Sequence, residues 1–127
     1  MTYSPTHFLV WGELPVTDLT KACEFYGIVT GAALQIDSSG PNPIAMFKPA
    51  DPCSGVALHL YPGKPAIEGS GPTLHLAAEG KLEDVMDRVT KAGGEVTSPA
   101  IEIPAGRFFY AKDPDGNTVG FFVGNDR

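Results

Sequence analysis

Five positions along the first apolar stripe of the chain, Leu19, Ala22, Cys23, Tyr26 and Gly31, return 63 residues later as Leu82, Val85, Met86, Val89 and Gly94. The three-four spacing places the first four of each set on one face of a helix, and each glycine supplies the left-handed residue on which helices commonly stop. A stripe and a stop signal repeated in register identify two copies of one supersecondary unit. Between them lies Pro62–Gly71, P-G-K-P-A-I-E-G-S-G, a run of turn formers without periodicity that reads as a linker.

The order of elements repeats around that linker. Phe8–Val16 is predicted as the first strand, with Asp18 or Thr17 capping the helix that follows. Short strands are then expected at Ala32–Ile36, Ile44–Lys48 and Gly55–Tyr61. In the second half, Pro72–Ala78 is a strand, the Leu82 stripe is a helix ended by Gly93-Gly94, and further strands fall at Val96, Ile101–Ile103, Arg107–Lys112 and Thr118–Val123. Asp113-Pro114-Asp115-Gly116-Asn117 is a turn that makes the last two a hairpin rather than a calcium loop. The expected fold is therefore α+β: two βαβββ modules forming a curved mixed sheet around a concave cavity, with helices outside. Residues 1–127 form one domain, with module one at about 7–61, the linker at 62–71 and module two at about 72–124.

Composition bounds the partners. A chain of 127 residues buries roughly two thirds of the surface its unfolded form exposes, enough for a real core. The balance of 15 acidic against 9 basic residues repels phosphate backbones and anionic lipid, so neither nucleic acid nor a membrane is an expected partner. No apolar run approaches the roughly 20 residues of a membrane span, and Met1–Pro5 carries no basic segment leading into an apolar one, so a cytoplasmic location is expected. Two cysteines make no disulfide framework. Cys23 sits on the apolar side of the first helix as a small hydrophobe, and Cys53 in the loop Pro49–Ser54 reads as a free thiol.

Alternation along the first strand puts Val10, Gly12, Leu14 and Val16 on one face and Trp11, Glu13 and Pro15 on the other. A carboxylate thus sits in the middle of the second face. The segments E-L-P-V-T-D-L-T-K-A-C-E-F-Y and F-F-Y-A-K-D-P-D-G-N-T-V-G-F-F, with A-G-G at the second helix end, resemble the vicinal oxygen chelate superfamily over nearly the whole chain, Phe8 to Val123. That group holds glyoxalase I, extradiol dioxygenases, and bleomycin and fosfomycin resistance proteins. The resemblance implies the fold and a small-molecule ligand, and it implies a homodimer that often completes the cleft across its interface. It leaves open the choice between a metal-dependent isomerase, lyase or dioxygenase and a metal-free binding or sequestration protein.

In metal-using members the ligands come from the inward faces of the first and last strand of each module. The corresponding positions here are Trp11, which cannot bind a metal, the region of Leu58 and His59, Thr73–His75, and Gly120, where the usual Glu is absent. Glu13, His59 and His75 remain as a possible set. Two imidazoles and a carboxylate are the composition of a facial triad suited to a divalent metal such as Fe, Zn, Ni or Mn. Without metal, Glu13 and a histidine form a charge-assisted pair able to act as a base or to anchor a ligand's polar end. Glu13 and His75 are the candidate catalytic residues. Trp11, Tyr61, Arg107 and Tyr110 are candidate substrate contacts, the aromatics by stacking and Arg107 by its planar fork. Phe108 and Phe122 can join the aromatic lining, and His7 has no assigned role.

Overall fold

The computed structural model describes residues 2–5, 8–51, 57–67 and 70–125. His7, Cys53, the first two residues of the expected strand at 55–61 and positions 68–69 of the linker lie outside the described residues. The elements follow in the order β1 (Trp11–Val16), α1 (Leu19–Thr30), β2 (Leu34–Asp37), β3 (Ile44–Phe47), β4 (Ala57–Pro62), β5 (Leu74–Ala77), α2 (Leu82–Lys91), β6 (Glu95–Val96), β7 (Ile101–Ile103), β8 (Gly106–Lys112) and β9 (Thr118–Gly124).

Asp18 opens α1 by accepting the Lys21 amide hydrogen at 3.1 Å, and Gly31 ends it in the left-handed region at φ 83°. Lys81 precedes α2 without a side-chain cap, but Glu83 and Asp84 in the first turn and Arg88 and Lys91 in the last suit the helix dipole. The first strand begins at Trp11, three residues later than the alternation suggests. Its ladder starts where Trp11 pairs with Ala57, and Phe8, Leu9 and Val10 precede that ladder and stand exposed.

Two open sheets result. The first runs β1-β4-β3-β2 and the second β5-β9-β8-β6, with β7 added alongside β8. In each sheet the first strand pairs parallel with the last, β1 with β4 and β5 with β9, while the other pairings are antiparallel. Among the described residues, strand β7 has no counterpart in the first sheet. The repeated stripe is buried as its spacing requires: Ala22 and Tyr26 from α1, and Leu82, Val85 and Val89 from α2, join one core with Leu60, Phe109 and Phe121 from the sheets.

A polar cluster ties the last hairpin to the first helix and strand. Asp113, 4% exposed, accepts the Tyr26 hydroxyl at 2.7 Å and the Asn117 side-chain amide at 3.0 Å on Oδ2. Its Oδ1 accepts the backbone amides of Asp115 and Asn117, both at 2.9 Å. Asn117 donates in turn to the carbonyl of Pro15 at 2.8 Å, and Thr17 bonds to the Asp115 carboxylate through its amide and hydroxyl. Burial, reinforced by the negative charge of Asp113 and the hydrogen bond to it, pushes the Tyr26 phenol well above its usual range, so the hydroxyl stays protonated and donating. A buried carboxylate is tolerated only when its lone pairs are met, and four donors do so here.

Removing one donor from a buried charge typically costs about 1.5–3 kcal/mol. Tyr26→Phe is accordingly expected to lower the free energy of unfolding in urea by that amount, and Thr17→Ala, at an exposed bond, by less than about 1 kcal/mol. Equal unfolding midpoints for Tyr26→Phe and the parent would show that the cluster holds without the phenol.

Candidate functional site

Parity along β1 sorts its residues as the alternation predicts: Leu14 and Val16 are buried, Glu13 is exposed and Trp11 is 59% exposed. The parallel ladder to β4 sets Trp11 beside Ala57, Glu13 beside His59 and Pro15 beside Tyr61. His59 Nε2 lies 3.0 Å from Glu13 Oε1, so the ring nitrogen donates to the carboxylate. That assignment leaves Nδ1 of a neutral ring as an open acceptor. An ion pair this accessible adds little stability, at most about 1 kcal/mol, so its interest is chemical. The carboxylate orients the imidazole, and an oriented imidazole with a free nitrogen can take a proton from a bound molecule or accept its hydrogen bond.

His75 lies on the other sheet. The parallel pairing of β5 with β9 sets it directly beside Gly120. Its ring meets Phe108 at 5.2 Å and Tyr110 at 5.5 Å between centroids, both edge-on, and those two rings also meet each other edge-on. A Cβ at position 120 would sit 2.2 Å from His75 Nδ1. The imidazole therefore occupies the space in which any side chain at 120 would begin. Glycine is there because the ring lies on it.

This arrangement bears on the metal that the resemblance implies. Gly120 supplies no donor, and its place is filled by His75. Among the described residues no three His, Cys, Asp or Glu side chains are grouped to hold an ion. Glu13 and His59 come together, but His75 does not join them. Among the described residues, the donor set within one chain does not fit a three-ligand Fe, Zn, Ni or Mn centre.

Among the other sequence candidates, Tyr61 lies on the Glu13 face of the first sheet with its ring against Gly63, and Tyr110 stands beside His75. Arg107 directs its fork at Glu83 of α2, with nitrogen to oxygen distances of 3.2 and 2.5 Å, so its hydrogen-bonding edge is engaged within the chain. The Arg107 hydrogen bond lowers the Glu83 carboxyl to about 2. Cys23 is half-buried, and burial raises its thiol pKa, in keeping with a packing role.

A cleft of about 510 Å³ opens elsewhere, at the end of α1. Gly12, Phe47, Leu58, Leu74 and Leu76 form its walls, with Lys48 at the edge. Of the sequence candidates only His75 borders it. A smaller recess of about 120 Å³ touches Glu13, Ala66 and Thr118. Sequence reasoning missed the larger cleft because its apolar walls, Gly12, Phe47, Leu58, Leu74 and Leu76, are residues of core parity. Gly12, the small residue in an otherwise bulky run of that parity, was the available signal.

The family model described as the Glyoxalase/Bleomycin resistance protein/Dioxygenase superfamily matches residues 5–121. A protein found in Mycobacterium bovis and in Mycobacterium tuberculosis, CFP32, named as an inferred glyoxylase, is 30% identical over 119 residues. The match spans 91% of this chain but only 45% of that protein. Among solved structures, a fosfomycin resistance protein, FosX, of Listeria monocytogenes superposes with a TM-score of 0.68 at 20% identity, over 92% of this chain and 91% of that one. A glyoxalase/bleomycin resistance protein of Albidiferax ferrireducens gives 0.67 at 19% identity, over 92% and 98%. A hypothetical protein of Staphylococcus aureus, SA1046, gives 0.68 at 20%, over 90% and 95%. At these identities the structures establish the shared fold.

Two measurements follow from the geometry. Gly120→Ala is expected to displace the His75 ring, erasing the ring-current shift that Phe108 and Tyr110 impose on its carbon-bound protons in NMR spectra. An unchanged His75 resonance would contradict the close approach. The folded-state pKa of Glu83 lies below its ordinary value of 4.5, so folding favours the ionised form. The contribution is complete above pH 4.5 and is lost as pH falls through the folded value of about 2. Glu83→Gln should therefore melt below the parent at pH 7 and converge with it near pH 2, as scanned by circular dichroism.

Proposed function

The chain belongs to the Glyoxalase/Bleomycin resistance protein/Dioxygenase superfamily, and on that premise we propose that it binds a small organic molecule on the face carrying Trp11, Glu13, His59 and Tyr61, without a divalent metal. The observation that carries this reading is the 3.0 Å contact between Glu13 and His59 on adjacent strands, flanked by two aromatic residues. The aromatics suit an apolar or planar body, and the pair suits a hydroxyl or carbonyl end. The name of the Listeria protein of similar fold ties that protein to fosfomycin resistance and does not extend to this chain.

A second reading, an isomerase or lyase working by proton transfer, is favoured by the orientation of His59. Its Nε2 is held by the carboxylate, and Nδ1 is left to exchange a proton with a ligand. In that reading Glu13 sets the orientation and His59 is the base, while His75 and Tyr110 contribute only if a second surface closes over the face. A second copy of the chain supplies such a surface. Phe8, Leu9, Val10 and Trp11 form a contiguous run of exposed apolar residues that a homodimer would cover. No helix among the described residues is long and apolar enough to cross a membrane, and the free thiol at Cys23 is compatible with a reducing cytoplasm.

Thermal-shift screening of small aromatic alcohols and ketones, with and without a chelator, tests the reading. Ligands should raise the melting temperature equally in both conditions. Glu13→Gln and His59→Ala should each weaken binding about tenfold, equivalent to about 1.4 kcal/mol. Stabilisation by Fe, Zn, Ni or Mn alone, abolished in His59→Ala, would overturn the metal-free assignment. Light scattering after size exclusion should report a dimer in the parent and a monomer in Val10→Glu; a monomeric parent removes the second-copy surface.

A further inference from the structure

We propose that the cleft at the end of α1 is a separate binding site for a small apolar monoanion, a carboxylate with an alkyl or aryl body, held with its charge at Lys48. Adjacent residues of a strand point to opposite faces, so Gly12 and Leu58, which wall the cleft, face away from Glu13 and His59. The cleft therefore opens away from the Glu13 and His59 pair, with Ala57 and His75 also on its border.

Three observations define its ligand. The volume of about 510 Å³ falls within the range of pockets that enclose a small organic molecule. Its walls are largely apolar, with Leu58, Leu74, Leu76 and Phe47 among them, and Gly12 lets the ends of Leu58 and Leu74 approach the strand to where a Cβ would stand 3.2 and 3.3 Å from them. An apolar body of this size exchanges water contact for side-chain contact, the exchange that drives apolar burial.

Charge supplies the third. The chain as a whole carries a net charge of −6, yet among the described residues no acidic side chain lines the cleft, and Lys48 does. Lys48 is exposed and has no carboxylate partner among the described residues. The other polar side chains of the lining are Thr30, Thr73 and His75, and the Thr30 hydroxyl is committed to the carbonyl of Tyr26 at 2.5 Å. An apolar chamber with a single unneutralised ammonium at its edge selects an amphipathic anion over a neutral molecule or a cation.

Calorimetric titration of the purified full chain with octanoate and with 2-naphthoate, each against its uncharged counterpart octanol or 2-naphthol, provides the test. At least one carboxylate should bind saturably, at least tenfold more tightly than its neutral counterpart, and Lys48→Glu should remove that advantage. Ala32→Leu, which places extra bulk in the cleft, should abolish binding while melting cooperatively. Methyl NMR of the unsubstituted protein should show ligand-induced shifts at Leu58, Leu74 and Leu76. Three outcomes overturn the proposal: no saturable binding of either carboxylate, equal binding of acid and alcohol, or shifts confined to the Trp11 and His59 face.

Discussion

One buried carboxylate gathers side chains and backbone from both halves of this fold. Asp113 belongs to the hairpin that ends the second sheet, but its donors include the phenol of Tyr26 from the first helix, and its neighbour Asn117 reaches the backbone of the first strand. A charge in such a place is costly unless every lone pair is met, so the hairpin, α1 and the end of β1 can assume few mutual positions. Apolar packing among the helices and sheets supplies the bulk of the burial but little direction. The polar cluster supplies direction, and with it the relative placement of the Glu13 and His75 strands.

That division explains what could be read from the sequence. The repeated stripe is a helix-period signal, and the structure buries it at the expected positions, from Ala22 and Tyr26 to Val85 and Val89. Alternation along β1 also survived, since Leu14 and Val16 are inside while Trp11 and Glu13 are outside. The start of β1 was harder to place. Phe8, Leu9 and Val10 continue the apolar run without joining the ladder, because strand length is set by a partner that alternation does not reveal. Tyr26, which the sequence presented as one more member of an apolar stripe, is also a hydrogen-bond donor to a residue 87 positions away. No local pattern carries a pairing of that range.

The candidate site divides in the same way. The pairing of Glu13 with His59 depends on register between β1 and β4, and the structure supplies that register. His75 was recognisable as a donor, but its neighbours were not: the aromatic edges of Phe108 and Tyr110 hold its imidazole over Gly120. The apolar cleft was invisible for another reason. Residues of core parity are read as filled core, and only three-dimensional coordinates show that packing stops short beyond the end of α1.

The contact between His75 and Gly120 also shapes what sequences are reachable from this one. A carboxylate introduced at 120 alone collides with the imidazole, and replacing His75 alone removes a nitrogen donor without adding an oxygen donor. Each single step is unfavourable while the other residue is unchanged, so the two positions are epistatic. A carboxylate at 120 is thus reachable only through a pair of changes that arrive together. The first of them has to give the imidazole somewhere else to go.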